Sequence, residues 1–148
     1  MSGYVAIYGA DGINPASPSN PIPAGPSAPY SSAQTAVSAS SGNVANASAV
    51  ASLGAVAAKT NFLTGFDITA TGSTAGSVVL ATITGLLGGT RTMVFAAPTG
   101  ALLMGQPLAL TFNPPLQASA VNTAITLTLP ALGTGNTNAS VNVQGFNQ

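Results

Sequence analysis

The sequence predicts an all-β chain, an antiparallel sandwich or barrel preceded by an extended arm rich in proline. From about residue 43 onward, short runs of Val, Ile, Leu and Thr alternate with Gly, Pro and Asn, at spacings typical of such folds. Six of the eleven prolines lie earlier, between Pro15 and Pro29. A length of 148 residues suffices for one core. We therefore predict an arm at residues 1–42 and a β-sandwich domain at residues 43–148.

The arm cannot contain regular structure, because each proline lacks a backbone donor and biases the preceding residue towards extended conformations. Ordering such a segment costs conformational entropy, and a segment without a core of its own has no buried contacts to offset that free-energy cost. We therefore expect a neighbouring subunit to supply its contacts. The predicted partner-binding anchors are its large apolar side chains, Tyr4, Ile7, Tyr8, Ile22 and Tyr30.

The domain is expected to contain seven or eight strands. Residues 46–58 are ambiguous, because alanine favours helix, and we assign them to a strand on the β character of everything downstream. In residues 62–70 the even-numbered side chains Phe62 to Ala70 share one face at period two. Residues 77–84 are apolar on both faces, which predicts a central strand covered on each side.

The later strands follow the same reasoning. Residues 85–89 form a hairpin turn, in preference to a phosphate loop, and residues 90–97 form the next strand. Residues 108–112 alternate, and Pro114 and Pro115 are predicted to end that strand. Residues 121–129 and 139–143 complete the set. The predicted core comprises Phe62, Phe66, Ile68, Val79, Leu80, Ile83, Met93, Phe95, Leu108, Leu110, Phe112, Ile125, Leu127, Leu129, Val141 and Val143.

The composition argues against an enzyme. Only 3% of residues are charged, and the chain has no histidine and no cysteine. Asp11, Asp67, Lys59 and three tyrosines remain as titrating candidates, and the two acids lie in different segments, so no carboxylate pair is available for acid–base chemistry. We predict no catalytic residue, no cofactor, no metal and no small-molecule substrate.

The same composition limits the partners. With two basic residues in the whole chain, phosphate neutralisation is unavailable, so nucleic acid is not expected as a ligand. No apolar run reaches the length of a membrane span, and the start of the chain does not resemble a secretory leader. We expect synthesis in the cytoplasm. A net charge of zero promotes association, which predicts a homo-oligomer, a dimer or a trimer.

Three charged residues of the domain, Lys59, Asp67 and Arg91, fall at strand ends or outer faces. They could recognise a charged partner or form a surface ion pair, and we favour the ion pair.

Residues 59–69 (KTNFLTGFDIT), 121–139 (VNTAITLTLPALGTGNTNA) and 143–146 (VQGF) resemble the jelly-roll decoration, or cement, proteins of tailed-bacteriophage heads. The resemblance covers about residues 45–148 and excludes the arm. It implies a jelly-roll-like antiparallel β-sandwich that clusters as a dimer or trimer on the outer surface of the capsid and bridges subunits of the major capsid protein. It transfers no individual functional residue, because such proteins act through surface shape.

We therefore expect a structural virion protein, made in the bacterial host cytoplasm, that decorates and stabilises the phage head. The alternatives are the head domain of a fibre or spike that binds a host surface, and a structural component of the tail or neck. Copy number separates these alternatives, because a decoration protein covers the whole shell whereas a fibre is present in few copies.

Overall fold

The structure, a computed structural model, describes residues 33–100 and 102–148. The arm anchors Tyr4, Ile7, Tyr8, Ile22 and Tyr30 lie outside the described residues. The described residues contain no helix, and so none that could cross a membrane. They form eight strands: β1 (Thr35–Ser40), β2 (Ala49–Leu53), β3 (Asn61–Ala70), β4 (Ser77–Thr84), β5 (Arg91–Ala97), β6 (Leu108–Gln117), β7 (Ile125–Leu129) and β8 (Ala139–Asn147).

The strands pair antiparallel in two four-stranded sheets, with the orders β1-β8-β3-β6 and β2-β7-β4-β5. Most neighbours within a sheet are remote along the chain, and successive strands repeatedly cross between the sheets. Eight strands arranged in this way form a jelly roll. The predicted fold class, an all-β jelly-roll-like antiparallel sandwich, is confirmed.

The sandwich begins earlier than residue 43. Strand β1 falls inside the segment that we assigned to the arm, and it pairs with β8 from Thr35 opposite Asn147 to Ser40 opposite Asn142. Val37 and Ala39 of β1 are partly buried against the core. The alternation was inconspicuous in the sequence because the side chains are small. Residues 35–40 therefore belong to the domain.

Strand β3 contains a β-bulge, and the alternation of inward and outward side chains reverses across it. Its pairing shifts register between Leu63 and Gly65. Phe66 and Ile68 are buried as predicted, but before the bulge Leu63 is fully buried and Phe62 is only partly buried. The prediction for Phe62 as a core residue was wrong, because one extra residue moves every side chain on one side of it to the other face.

Strand β6 continues through Pro114 and Pro115, which we expected to end it. The strand lies at the edge of its sheet, where a residue without an N–H group is tolerated. Between the pairs Gly65–Thr111 and Leu63–Leu116 the register with β3 is irregular. The prolines therefore mark an edge rather than an end.

The core fills the space between the two sheets. Nine predicted core residues are buried: Phe66, Ile68, Ile83, Phe95, Ile125, Leu127, Leu129, Val141 and Val143. Four more are partly buried against them: Val79, Met93, Leu108 and Phe112. Leu80 and Leu110 are exposed, at 54% and 40%, so their assignment to the core was wrong. Leu80 is exposed because β4, although central in its sheet, has no described element packed against its outer face.

A buried amide joins three segments at one end of the sandwich. Asn61 is 1% exposed, and its Nδ2 donates hydrogen bonds to the carbonyl oxygens of Leu53 at 3.3 Å, Gly54 at 2.9 Å and Thr123 at 2.9 Å. Residues 54 and 123 lie just outside β2 and β7, so these strands are shorter than the predicted runs 46–58 and 121–129. A side chain that satisfies backbone carbonyls at strand ends stabilises the point where the ladders stop.

Candidate interaction surface

The outer face of strands β4 and β5 exposes a group of apolar side chains, which we call the β4–β5 surface. It comprises Val78, Leu80, Val94, Ala96 and, from the connection between β5 and β6, Met104. Val78 is 73% exposed, Val94 66% and Met104 65%. Single exposed apolar residues are normal on a protein surface, but a contiguous group of them is typical of an interaction site.

Strand pairing places these residues side by side. Val78 lies opposite Ala96, and Leu80 lies opposite Val94. Because side chains two residues apart share a face of a strand, the four form one block on the outer side of the sheet. Met104 and Val94 line the same cleft beside the free edge of β5, so the apolar surface extends over that edge.

The polar neighbours of this block on the same sheet are uncharged. Thr82 pairs with Thr92 on one side and with Thr128 of β7 on the other, and Thr126 lies beside Ser52 of β2, with 2.8 Å between their hydroxyl oxygens. Val50 on β2 is a second, separate exposed apolar residue, at 46%. The outer face of this sheet therefore presents apolar and hydroxyl groups and no formal charge among its described strand residues.

The opposite face of the sandwich is polar over its middle part, with the stacked rings of Phe62 and Phe146 on the same face beyond the bulge. The sheet β1-β8-β3-β6 presents Ser38, Ser40, Asp67, Asn142 and Gln144 around one cleft. Asn142 Nδ2 donates a hydrogen bond to Asp67 Oδ1 at 2.6 Å. The two outer faces thus differ in chemistry, and water solvates the polar groups of the sheet β1-β8-β3-β6 more readily than the apolar β4–β5 surface.

The three charged side chains of the domain have neutral partners. Lys59 Nζ donates to Thr35 Oγ1 at 3.2 Å, Asp67 accepts from Asn142, and the Arg91 guanidinium lies 6.0 Å from the centroid of the Phe112 ring. The ion pair that we favoured is not among these contacts. Strand pairing determines which groups these three side chains contact, and the spacing of the residues in the sequence does not show that pairing.

Among the described residues, no three His, Cys, Asp or Glu side chains come together as a possible metal site. Residues 85–89 form the predicted turn between β4 and β5, where Gly85 has a φ of 82° and Gly89 of 86°. A positive φ of this kind favours glycine, which explains the glycine-rich run without a phosphate ligand.

Sequence reasoning missed the β4–β5 surface. The signal was present, because residues 77–84 are apolar on both faces, but the same pattern is typical of a strand buried on both sides. A strand with one uncovered apolar face is indistinguishable from it in a single sequence.

Comparisons of the chain with protein-family models, with curated proteins and with solved structures found no match.

Proposed function

We propose that this protein is a structural virion protein that decorates the head of a tailed bacteriophage. In this proposal it binds the outside of the capsid and bridges and stabilises subunits of the major capsid protein. The observation that carries the proposal is the β4–β5 surface, an exposed apolar block on a jelly-roll sheet face without charge. The resemblance of residues 59–69, 121–139 and 143–146 to decoration proteins supplies the class of partner.

The chemistry of the surface suits permanent attachment. Burial of apolar area contributes about 25 cal/mol per Å², although area alone does not determine affinity. Hydroxyl groups such as those of Thr82 and Thr92 can form hydrogen bonds at the margin of such an interface. Neither contribution needs an ion pair, which agrees with a chain that carries only four charged residues.

The orientation follows from the contrast between the two sheets. The β4–β5 surface faces the capsid, and the polar face around Asp67 and Asn142 faces the solvent. This arrangement removes the apolar side chains from water and leaves hydrogen-bonding groups hydrated.

Particles assembled without this chain test the proposal. We expect the purified chain to bind them at many sites over the whole shell, and the variant Val78→Lys to bind at least about tenfold more weakly, because a buried unpaired charge is costly. Thr111→Lys is the matched control, since it adds the same charge to an exposed position on the edge strand of the other sheet. Binding confined to one vertex or to the tail would support the fibre, spike, tail or neck alternatives instead.

A further inference from the structure

The free edge of strand β5 differs from the other three sheet edges of the described sandwich. Strands β1 and β2, which end the two sheets on one side, contact each other. Strand β6 contains Pro114 and Pro115, which cannot donate to a further strand. Strand β5 contains no proline and pairs with β4 in unbroken register from Arg91 to Ala97. Among the described residues, the devices that commonly protect an edge strand occur only at its two ends, as Arg91 at the start and the connection that passes Ala96 near the end.

Two distances show to which side of β5 its carbonyl groups point. A Cβ atom built on Gly76, just before β4, would lie 3.9 Å from the carbonyl oxygen of Ala97. One built on Gly105, in the connection that runs past the outer edge, would lie 3.1 Å from the carbonyl oxygen of Ala96. Ala97 therefore directs its carbonyl towards β4, and Ala96 directs its carbonyl away from it. Because these directions alternate in an antiparallel pair, Thr92 and Val94 also point their N–H and C=O groups outward.

These outward groups are available for a further strand. Neither Thr92 nor Val94 makes a backbone hydrogen bond to a described residue outside the strands. The connection between β5 and β6 passes Ala96 at Gly105 and lines a cleft with Val94, whereas Arg91 and Thr92, at the start of the strand, are exposed. Val94, beside that edge, is 66% exposed.

We propose that β5 pairs antiparallel with β5 of a second copy of this chain around a two-fold axis. The axis passes near Met93, so that Thr92 of each copy lies opposite Val94 of the other. Each of these two pairs exchanges two hydrogen bonds through its outward N–H and C=O groups. The two sheets β2-β7-β4-β5 then become one continuous eight-stranded sheet.

The charge pattern of the strand suits a second copy. Arg91 is the only charged residue of β5, and in this register it lies opposite Phe95 of the other copy. The two Arg91 residues are then four positions apart along the strands, roughly 14 Å at about 3.4 Å per residue. That exceeds the Debye length of about 10 Å at 0.1 M salt, so their repulsion is largely screened.

The pairing also joins the two β4–β5 surfaces. Val94 lies nearest the axis, with Leu80 and Val78 behind it on β4, so both apolar blocks lie on one face of the joined sheet. A symmetric interface uses the same patch twice, which requires a surface without strong charge. The inference concerns the free protein and does not depend on the proposed attachment to a capsid.

The mass of the full chain in solution, measured by sedimentation equilibrium, tests the pairing. We expect the wild type to form dimers or larger even-numbered assemblies at micromolar concentration. Val94→Lys places a charge beside the edge, and Thr92→Pro removes an outward N–H group. Each variant is expected to raise the dimer dissociation constant at least about tenfold. Val50→Lys, at an exposed position on the outermost strand at the other side of the same sheet, is the matched control and is expected to leave the mass unchanged.

Circular dichroism and thermal melting of each variant identify any that fail to fold. A monomeric wild type, an odd-numbered oligomer, or folded Val94→Lys and Thr92→Pro variants with the wild-type mass would each overturn the pairing. Loss of particle binding by a Val78→Lys variant that remains dimeric would leave it intact, so this proposal and the proposed function fail separately.

Discussion

Phe66 and Phe62 are two aromatic residues of one strand that occupy different environments because of the bulge between them. Phe66 is 3% exposed, and its ring centroid lies 6.0 Å from that of Phe112 at an interplanar angle of 37°. Phe62 is partly buried and stacks on Phe146, with centroids 4.9 Å apart. Both contacts are favourable aromatic geometries, but only the first belongs to a side chain enclosed by the core.

The two residues are therefore expected to respond unequally to truncation. Phe66→Ala should lower the free energy of unfolding by about 3–5 kcal/mol, a large part of the total of a small domain, and much of the protein should become insoluble. Phe62→Ala is the matched control, and its cost should be clearly smaller because the site already contacts water. Urea unfolding followed by circular dichroism measures both. Equal costs would contradict the burial assigned on the two sides of the bulge.

At the scale of elements, the prolines and small residues that obscure strands in the sequence lie at sheet edges. Strand β6 accommodates Pro114 and Pro115 because one side of an edge strand needs no donor. Strand β1 consists of Ala, Ser, Thr and one Val, yet it completes its sheet by pairing with six residues of β8. Tertiary pairing outweighs weak local preference at both edges.

Two truncations separate β1 from the preceding arm. Deleting residues 2–31 retains β1, and we expect a folded protein with an unchanged β-type circular dichroism spectrum. Deleting residues 2–42 removes β1 and exposes β8 as a new edge, so we expect a lower melting temperature and aggregation. Equal melting temperatures for the two proteins would show that β1 contributes little to the sandwich.

The shorter truncation also tests the arm as a clamp on a neighbouring subunit. Removal of the anchors Tyr4, Ile7, Tyr8, Ile22 and Tyr30 should weaken attachment to particles, because aromatic anchors commonly dominate the energy of an interface. Undiminished occupancy of particles by the protein without residues 2–31 would mean that the arm contributes nothing to binding.

For the whole molecule, the scarcity of charge predicts how its contacts respond to salt. The chain has two basic and two acidic residues, so an interface that it forms has little Coulomb energy for salt to screen. Burial and hydrogen bonds are left as the main contributions.

Release from particles should therefore hardly change between low salt and about 1 M salt, because the Debye length falls to about 3 Å without weakening apolar contacts. Urea, which solvates apolar and peptide groups, should release the protein at concentrations below those that unfold it. The bound fraction is measured by sedimenting the particles after each wash. Complete loss at high salt would show that charges of the partner dominate the contact.

The sequence by itself determined the all-β class, most of the strands and most of the core. Strict alternation over residues 125–129 and 139–143 reports burial directly, since side chains two residues apart share one face. The lack of histidine and cysteine is likewise known from the sequence without any structure. These properties depend on residues close together in the chain.

Only the tertiary structure decided which apolar faces are covered. Val79 and Leu80 are adjacent and similar in hydropathy, yet one packs against the core and the other contributes to the β4–β5 surface. The bulge in β3, the pairing of β1 with β8 and the open edge of β5 also depend on strands that are distant in sequence. The physical reason is that alternation determines which side chains share a face, whereas the position of each strand in its sheet determines what lies against that face.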